Sequence, residues 1–105
     1  MRITRLDRRL VLEEAERAPD GTGGWTVAWS TVATLWAAVE FLRGGERLIA
    51  EALTAEATHR VILRARSDVT PAMRFREGSR VLDILAVEQE ERRWTRCFCR
   101  ERPAS

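Results

Sequence analysis

Lysine and tyrosine are missing from this sequence altogether, so all eighteen of its basic residues are arginine. A GC-rich coding sequence accounts for that usage as well as selection does. Arginine nevertheless offers bidentate contacts to carboxylate or phosphate that lysine cannot make. One histidine, no tyrosine and no serine in a glycine-flanked elbow leave little for acid–base or nucleophilic catalysis. Neither a GxGxxG nor a P-loop spacing is present, which removes the common nucleotide-cradling motifs. These absences point away from an enzyme and from any cofactor.

Only two cysteines occur, Cys97 and Cys99. With His59 far off in sequence, they fall short of the four ligands of a structural zinc site. A bridge between residues two apart in one extended strand is geometrically poor. The expectation is a pair of buried free thiols acting as small apolar side chains. No segment approaches the ~20 apolar residues of a membrane span. The opening Met-Arg-Ile-Thr-Arg-Leu-Asp-Arg-Arg is charged where a signal peptide needs an apolar run. A cytoplasmic chain with no membrane partner is therefore expected.

What the sequence does have is alternation. From Trp25 to Phe41 the odd positions are nearly all apolar, the period-two pattern of a half-buried strand. The run is long for one strand, so a bend or bulge is expected near Ser30–Thr31. Trp36 falls out of phase with Trp25 and Trp29, yet its size predicts burial. On that expectation Trp36→Ala would cost about 3–5 kcal/mol. Before this run, Arg8–Arg17 sets Leu10 and Leu12 against Arg9, Val11 and Glu13. Residues 18–24, dense in glycine, proline and aspartate, read as a mobile hairpin tip.

Gly44-Gly45 ends the alternation, and 46–57 (ERLIAEALTAEA) takes helical spacing through Leu48, Ile49, Ala52 and Leu53. At twelve residues it needs a surface to dock on. Alternation then returns. Val61, Leu63 and Ala65 oppose Arg60, Arg64 and Arg66; Met73 and Phe75 oppose Arg74 and Arg76; Leu82, Ile84 and Ala86 share a face. Asp83 within that apolar run calls for an arginine partner or solvent. In the last run Thr95, Cys97 and Cys99 oppose Trp94, Arg96, Phe98 and Arg100. The fold class is mainly β: a small antiparallel barrel or sandwich of about six strands, with one short helix or long loop at about 44–57, in one domain spanning 1–105.

Net charge is only +2. It is unevenly placed: residues 1–57 hold seven Arg and nine acids (net −2), and residues 58–105 hold eleven Arg and seven acids (net +4). That split would suit head-to-tail association. Arg92, Trp94, Arg96, Phe98 and Arg100 interleave cations with aromatics, as stacking platforms for single-stranded nucleic acid do. The same residues would equally pack beneath the insert or against another subunit. An oligonucleotide-binding barrel using that strand face stands as the alternative function.

The order of motifs resembles a known family. Trp29, Val32, Trp36, Ala37, Val39 and Glu40 form a Trp-x-x-Val-x-x-x-Trp-Ala-x-Val-Glu stretch. Thr-His-Arg-Val-Ile-Leu-Arg-x-Arg-x-Asp-Val-x-x-x-Met-Arg follows over 58–74, then Gly-x-Arg-x-x-x-Ile-x-x-Val over 78–87, and a closing Cys-Arg-Glu at 99–101. Together they resemble the head–tail joining, or head-closure, proteins of tailed bacteriophages and gene transfer agents. The resemblance implies a structural subunit of a homo-oligomeric connector ring. Such a ring sits between portal or adaptor proteins and the tail terminator, and retains packaged double-stranded DNA without reading its sequence. It also implies a chain assembled in the host cytoplasm and then carried in the virion or phage-like particle. Within that frame Gly44, Gly45, Glu46, Arg47 and Glu51 are candidates for a channel gate, the glutamates repelling phosphate and the glycines serving as a hinge. Arg60, Arg64, Arg66, Trp94 and Arg96 are candidates for the subunit or ring interface.

Overall fold

Period-two alternation becomes six antiparallel strands in a computed structural model, which describes residues 5–43 and 56–103. They are β1 (Arg8–Pro19), β2 (Trp25–Phe41), β3 (His59–Arg64), β4 (Arg74–Glu77), β5 (Arg80–Glu90) and β6 (Trp94–Glu101). Their order, β1-β2-β3-β6-β5-β4, returns to β1 and closes the sheet into a barrel. Closure pairs the edges that an open sheet would expose. The expected insert lies outside the described residues, save for Glu56 and Ala57 at its end.

The core follows the inward parity of each strand. Leu10, Leu12, Ala37, Val61, Leu63, Phe75, Leu82, Ile84, Cys97 and Cys99 form one buried cluster, joined by Val69 and Met73. The two thiols are free and buried as expected. Burial pushes Cys97 up to about 12 and Cys99 well above its ordinary value. Asp83 finds its arginine: Arg102 Nη2 donates to Oδ1 at 2.8 Å.

Three sequence expectations are corrected. Trp36 is 57% exposed, because β2 places its inward parity on Leu35, Ala37 and Val39. Ala86 does not share a face with Leu82 and Ile84. A register shift between Ile84 and Ala86 turns Ala86 outward, against Phe98, and brings Val87 into the core instead. Ala65 is exposed rather than inward, since β3 ends at Arg64.

The bulge on β2 is where the alternation called for one. Leu12 pairs with Ala33 while Glu13 pairs with Thr31, so Val32 is the extra residue. Beyond it β1 and β2 leave the barrel together. β1 touches β4 only over Val11–Glu13, and β2 touches β3 only over Ala37–Phe41. The paired residues Glu14–Pro19 and Trp25–Ser30 therefore form a free two-stranded ribbon of roughly 20 Å. That ribbon suits a molecule measuring 52 × 26 × 24 Å.

The ribbon tip is held by one side chain. Asp20 Oδ1 accepts from the backbone N–H of Thr22 at 2.8 Å, the Thr22 hydroxyl at 2.9 Å and the N–H of Gly24 at 3.0 Å. Gly21 and Gly23 take φ of +84° and +88°, which an L side chain rarely adopts.

Candidate assembly surfaces at the two ends of the barrel

At the end away from the ribbon, every strand's inward parity finishes on a polar or aromatic residue. β1 ends on Arg8, β4 on Glu77, β5 on Arg80, β6 on Glu101, β3 on His59 and β2 on Phe41. These side chains join into one belt. Arg8 Nε donates to Glu77 at 2.8 Å, and its Nη2 to the other carboxylate oxygen. Arg80 Nε donates to Glu101 at 2.9 Å and Arg80 Nη1 lies 3.9 Å from Glu77. Arg80 Nη2 lies 3.0 Å from His59 Nε2, and the Phe41 ring meets the imidazole edge-on at 5.3 Å.

This belt fixes the histidine's state. An arginine can only donate, so Nε2 accepts and Nδ1 carries the proton toward the Thr58 hydroxyl at 2.8 Å. Burial, and then the neighbouring Arg80 charge, push the His59 pKa below its ordinary value. Arg8 holds the Glu77 carboxyl below the usual range, and Arg80 does the same for Glu101. Although His59 sits directly across from Cys99, both its nitrogens are engaged by this network. The barrel mouth carries a charge-paired belt.

The insert candidates Gly44, Gly45, Glu46, Arg47 and Glu51 lie outside the described residues. The flanks of the segment are described, and they are pinned side by side at this same end. Leu42 N–H donates to Thr58 C=O at 3.0 Å, and Thr58 N–H donates to Cys99 C=O at 2.8 Å. Leu42, Ala57 and Phe98 form a second buried cluster on the outer face, with Ala86 against it.

That cluster removes the stacking platform suggested by the last strand. Phe98 is only 3% exposed, so it presents no face to a base. Arg96 is held by Glu90 Oε2 at 2.7 Å and Glu88 Oε1 at 3.7 Å. Trp94 is half-buried beside Arg64. Among the interface candidates, Arg60 is paired with Glu40 at 2.8 Å. Arg66 is paired with Asp68 at 2.7 Å, which lowers the Asp68 pKa. The backbone of Arg66 is also tied to Thr95 and Gln89. Arg64 is exposed. It lines a groove of about 350 Å³ with Leu6, Leu35, Trp36 and Arg66, where β2 runs on past the end of β3. The structure thus gathers Arg64, Arg66 and Trp94 at the ribbon end, and leaves Arg60 and Arg96 in ion pairs along the wall.

Sequence reasoning missed the ribbon's outer face. Residues directly opposite in an antiparallel pair share a face. The register therefore puts Arg9 with Trp36, Ala15 with Trp29, Arg17 with Val27 and Pro19 with Trp25 on one side. Each of these tryptophans carries a guanidinium: Arg9 at 5.9 Å from Trp36, Arg17 at 5.7 Å from Trp25 and Arg74 at 4.0 Å from Trp29. Arg74 is also held by Glu13 at 2.8 Å, and Arg76 by the same carboxylate at 3.0 Å. Burial opposes ionisation of Glu13, but the two arginines outweigh it and keep its carboxyl below the usual range. The signal was present in the tryptophan spacing, but its phase reverses at the bulge.

This architecture has known counterparts. The solution structure of a Shigella flexneri 2a protein matches with a TM-score of 0.79 and 30% identity, over 96% of each chain. A chain from the virion of a native gene transfer agent particle matches with a TM-score of 0.65 and 32% identity, over 97% of this chain and 100% of that one. No curated protein matches. A model of the phage head completion proteins matches residues 1–102. A barrel belted by charge pairs at one mouth, ribboned at the other and matched along nearly its whole length is thus accounted for: the chain belongs to the phage head completion protein family.

Proposed function

We propose that this head structural protein is a subunit of a connector ring that closes the portal channel, retains packaged double-stranded DNA and receives the tail. The observation that carries the reading is the likeness, at 32% identity, to a chain of a gene transfer agent virion. The two ends of the barrel support it, since a piece lying between head and tail meets different neighbours on its two sides. The mouth end carries the paired charges and the two roots of the insert, Leu42 and Thr58; the other carries the ribbon and Arg64. A ring of such subunits uses heterologous contacts, one patch against a different patch of the next copy. Portal or adaptor proteins and the tail terminator are its neighbours, and the protein works without catalysis.

In this reading the insert from 43 to 57 is the gate. Its two flanks, pinned together by the Leu42–Thr58 hydrogen bond, give it a fixed root on the barrel wall. Glu46 and Glu51 would repel phosphate, so the segment would block DNA without gripping it; Glu56, at its end, is already paired with Arg100.

The test is a particle preparation lacking the chain, beside one carrying a deletion of Glu46–Ala55. Without the chain, filled heads should lose DNA and stay tailless. With the deletion, tails should still attach, but DNA should leak beforehand. Full, tailed particles formed without the chain would overturn the ring reading. Heads that keep their DNA despite the deletion would reduce the insert to scaffold.

A further inference from the structure

The ribbon has two unlike faces, and each complements the other. Its outer face carries Trp25, Val27 and Trp29, with Arg17 beside them and Arg9–Trp36 below. Trp25 is 60% exposed and Val27 55%. Arg9 and Arg17 have no carboxylate partner among the described residues; each lies over its indole. The inner face, freed from the barrel beyond the bulge, pairs Glu14 with Ser30, Glu16 with Ala28 and Ala18 with Thr26. It is acidic and lined by small side chains. Glu14 and Glu16 are exposed, and Glu16 only accepts from the Ser30 hydroxyl at 3.0 Å.

We propose that the inner face of one subunit's ribbon lies on the outer face of the next subunit's ribbon. This deepens the ring reading, on which it rests, by naming the contact and its partner: a second copy of this chain. Charge decides the occupant, because Glu14 and Glu16 of one copy flank Arg17 of the next, at the level where Val27 faces Ala28. Shape agrees with charge. Ala18, Ala28, Thr26 and Ser30 leave room for two indoles, and stacked guanidinium groups hold those rings in place before contact. Tryptophan and arginine are also the residues that dominate interface energetics.

The contact is heterologous, so each copy keeps one face free for a further copy and the series closes only as a ring or runs on. Two indoles and one valine bury on the order of 400 Å². That is about half of the ~800 Å² each partner contributes to a stable pair. Isolated subunits are therefore weakly associated, and a template ring that aligns many contacts at once supplies the rest.

Cysteine cross-linking of the full chain reads this directly, since the native thiols are buried and their pKa values raised. Val27→Cys marks the outer face and Ala28→Cys the inner one. Mixed at millimolar concentration under oxidation, they should form heterodimers, and a chain carrying both should give a ladder. Glu14→Arg with Glu16→Arg should lower the yield about tenfold through like-charge repulsion, and pairing that variant with Arg17→Glu should restore it. Unchanged thermal midpoints confirm that the variants fold. Val27→Cys dimerising by itself, a yield no higher than with Ser67→Cys, or charge reversals without effect would each overturn the proposal. The ring reading is judged separately, by whether the chain is found between head and tail. Its presence there without cross-links would sink the stacking alone.

Discussion

Barrel and ribbon are built from the same two strands, yet only the barrel part buries one of its faces. Below the bulge, Leu10, Leu12 and Ala37 have neighbours on every side and are at most 1% exposed. Above it, the residues of β1 from Glu14 to Pro19 are all exposed, and so are Trp25, Thr26, Val27 and Ala28 of β2. Alternation therefore reports that a strand has two unlike faces, not that either is covered. In the barrel the covering is intramolecular. In the ribbon the same chemistry is left for a partner.

The largest effect that tests this contrast is in the core. Phe75 is fully buried and sits directly across from Leu12. Phe75→Ala should cost about 3–5 kcal/mol through lost burial and the cavity left behind. Trp25→Ala, a truncation of an even larger ring, should change stability by no more than about 0.5 kcal/mol. Urea unfolding of both variants checks the pair. Equal losses would mean that the ribbon folds onto the barrel and that the two regions are one.

A smaller effect tests the joint between them. Glu13 is the last β1 residue beside β4, and its carboxylate holds Arg74 and Arg76, while Arg74 in turn stacks on Trp29. Removing its charge as Glu13→Gln leaves Arg74, largely buried, without its counter-ion. Loss of one partner of a buried pair costs about 3–5 kcal/mol. Arg76 is 40% exposed and hydrated, so about 2 kcal/mol is expected here. Trp29 fluorescence should change with it, because the stacked guanidinium loses its anchor. A variant within about 0.5 kcal/mol of the parent would show that the ribbon's root needs no ionic tie.

Much of this was legible in the residues. Cys97 and Cys99 read as buried thiols because two positions of one strand face share one fate. Asp83 asked for an arginine and has two nearby, Arg102 and Arg100. The mouth belt was not legible, because each strand contributes one member and only register brings Arg8, Glu77, Arg80, Glu101 and His59 together. The error of phase at Ala86 traces to a bulge: one extra residue at Leu85 reverses which side of β5 is inward, and alternation alone does not reveal that reversal. At Val32 the change of phase was legible in the tryptophans, and only the size of Trp36 misled. Phe98 was ambiguous in sequence because an aromatic on the outer parity is wet or buried according to what crosses it.

Trp36 carries a small stability effect and the sharpest distinction. Its size predicted a core residue, but it is 57% exposed, directly across from Arg9 and beside the groove that Arg64 lines. Its only described ring contact with a cation is Arg9 at 5.9 Å, a pairing worth about 0.5–1 kcal/mol at an exposed site. Trp36→Ala should therefore lower stability by less than about 1 kcal/mol. A fall of core size would return Trp36 to the interior and move the outer face of β2 with it. The second readout is association. If Trp36 belongs to the stripe that receives a neighbour's ribbon, Trp36→Ala should reduce the Val27→Cys with Ala28→Cys cross-link while leaving the urea midpoint nearly unchanged. Loss of the cross-link at constant stability assigns Trp36 to the partner-facing surface. An unchanged cross-link ends that surface at Trp29 and confines the contact to the ribbon proper.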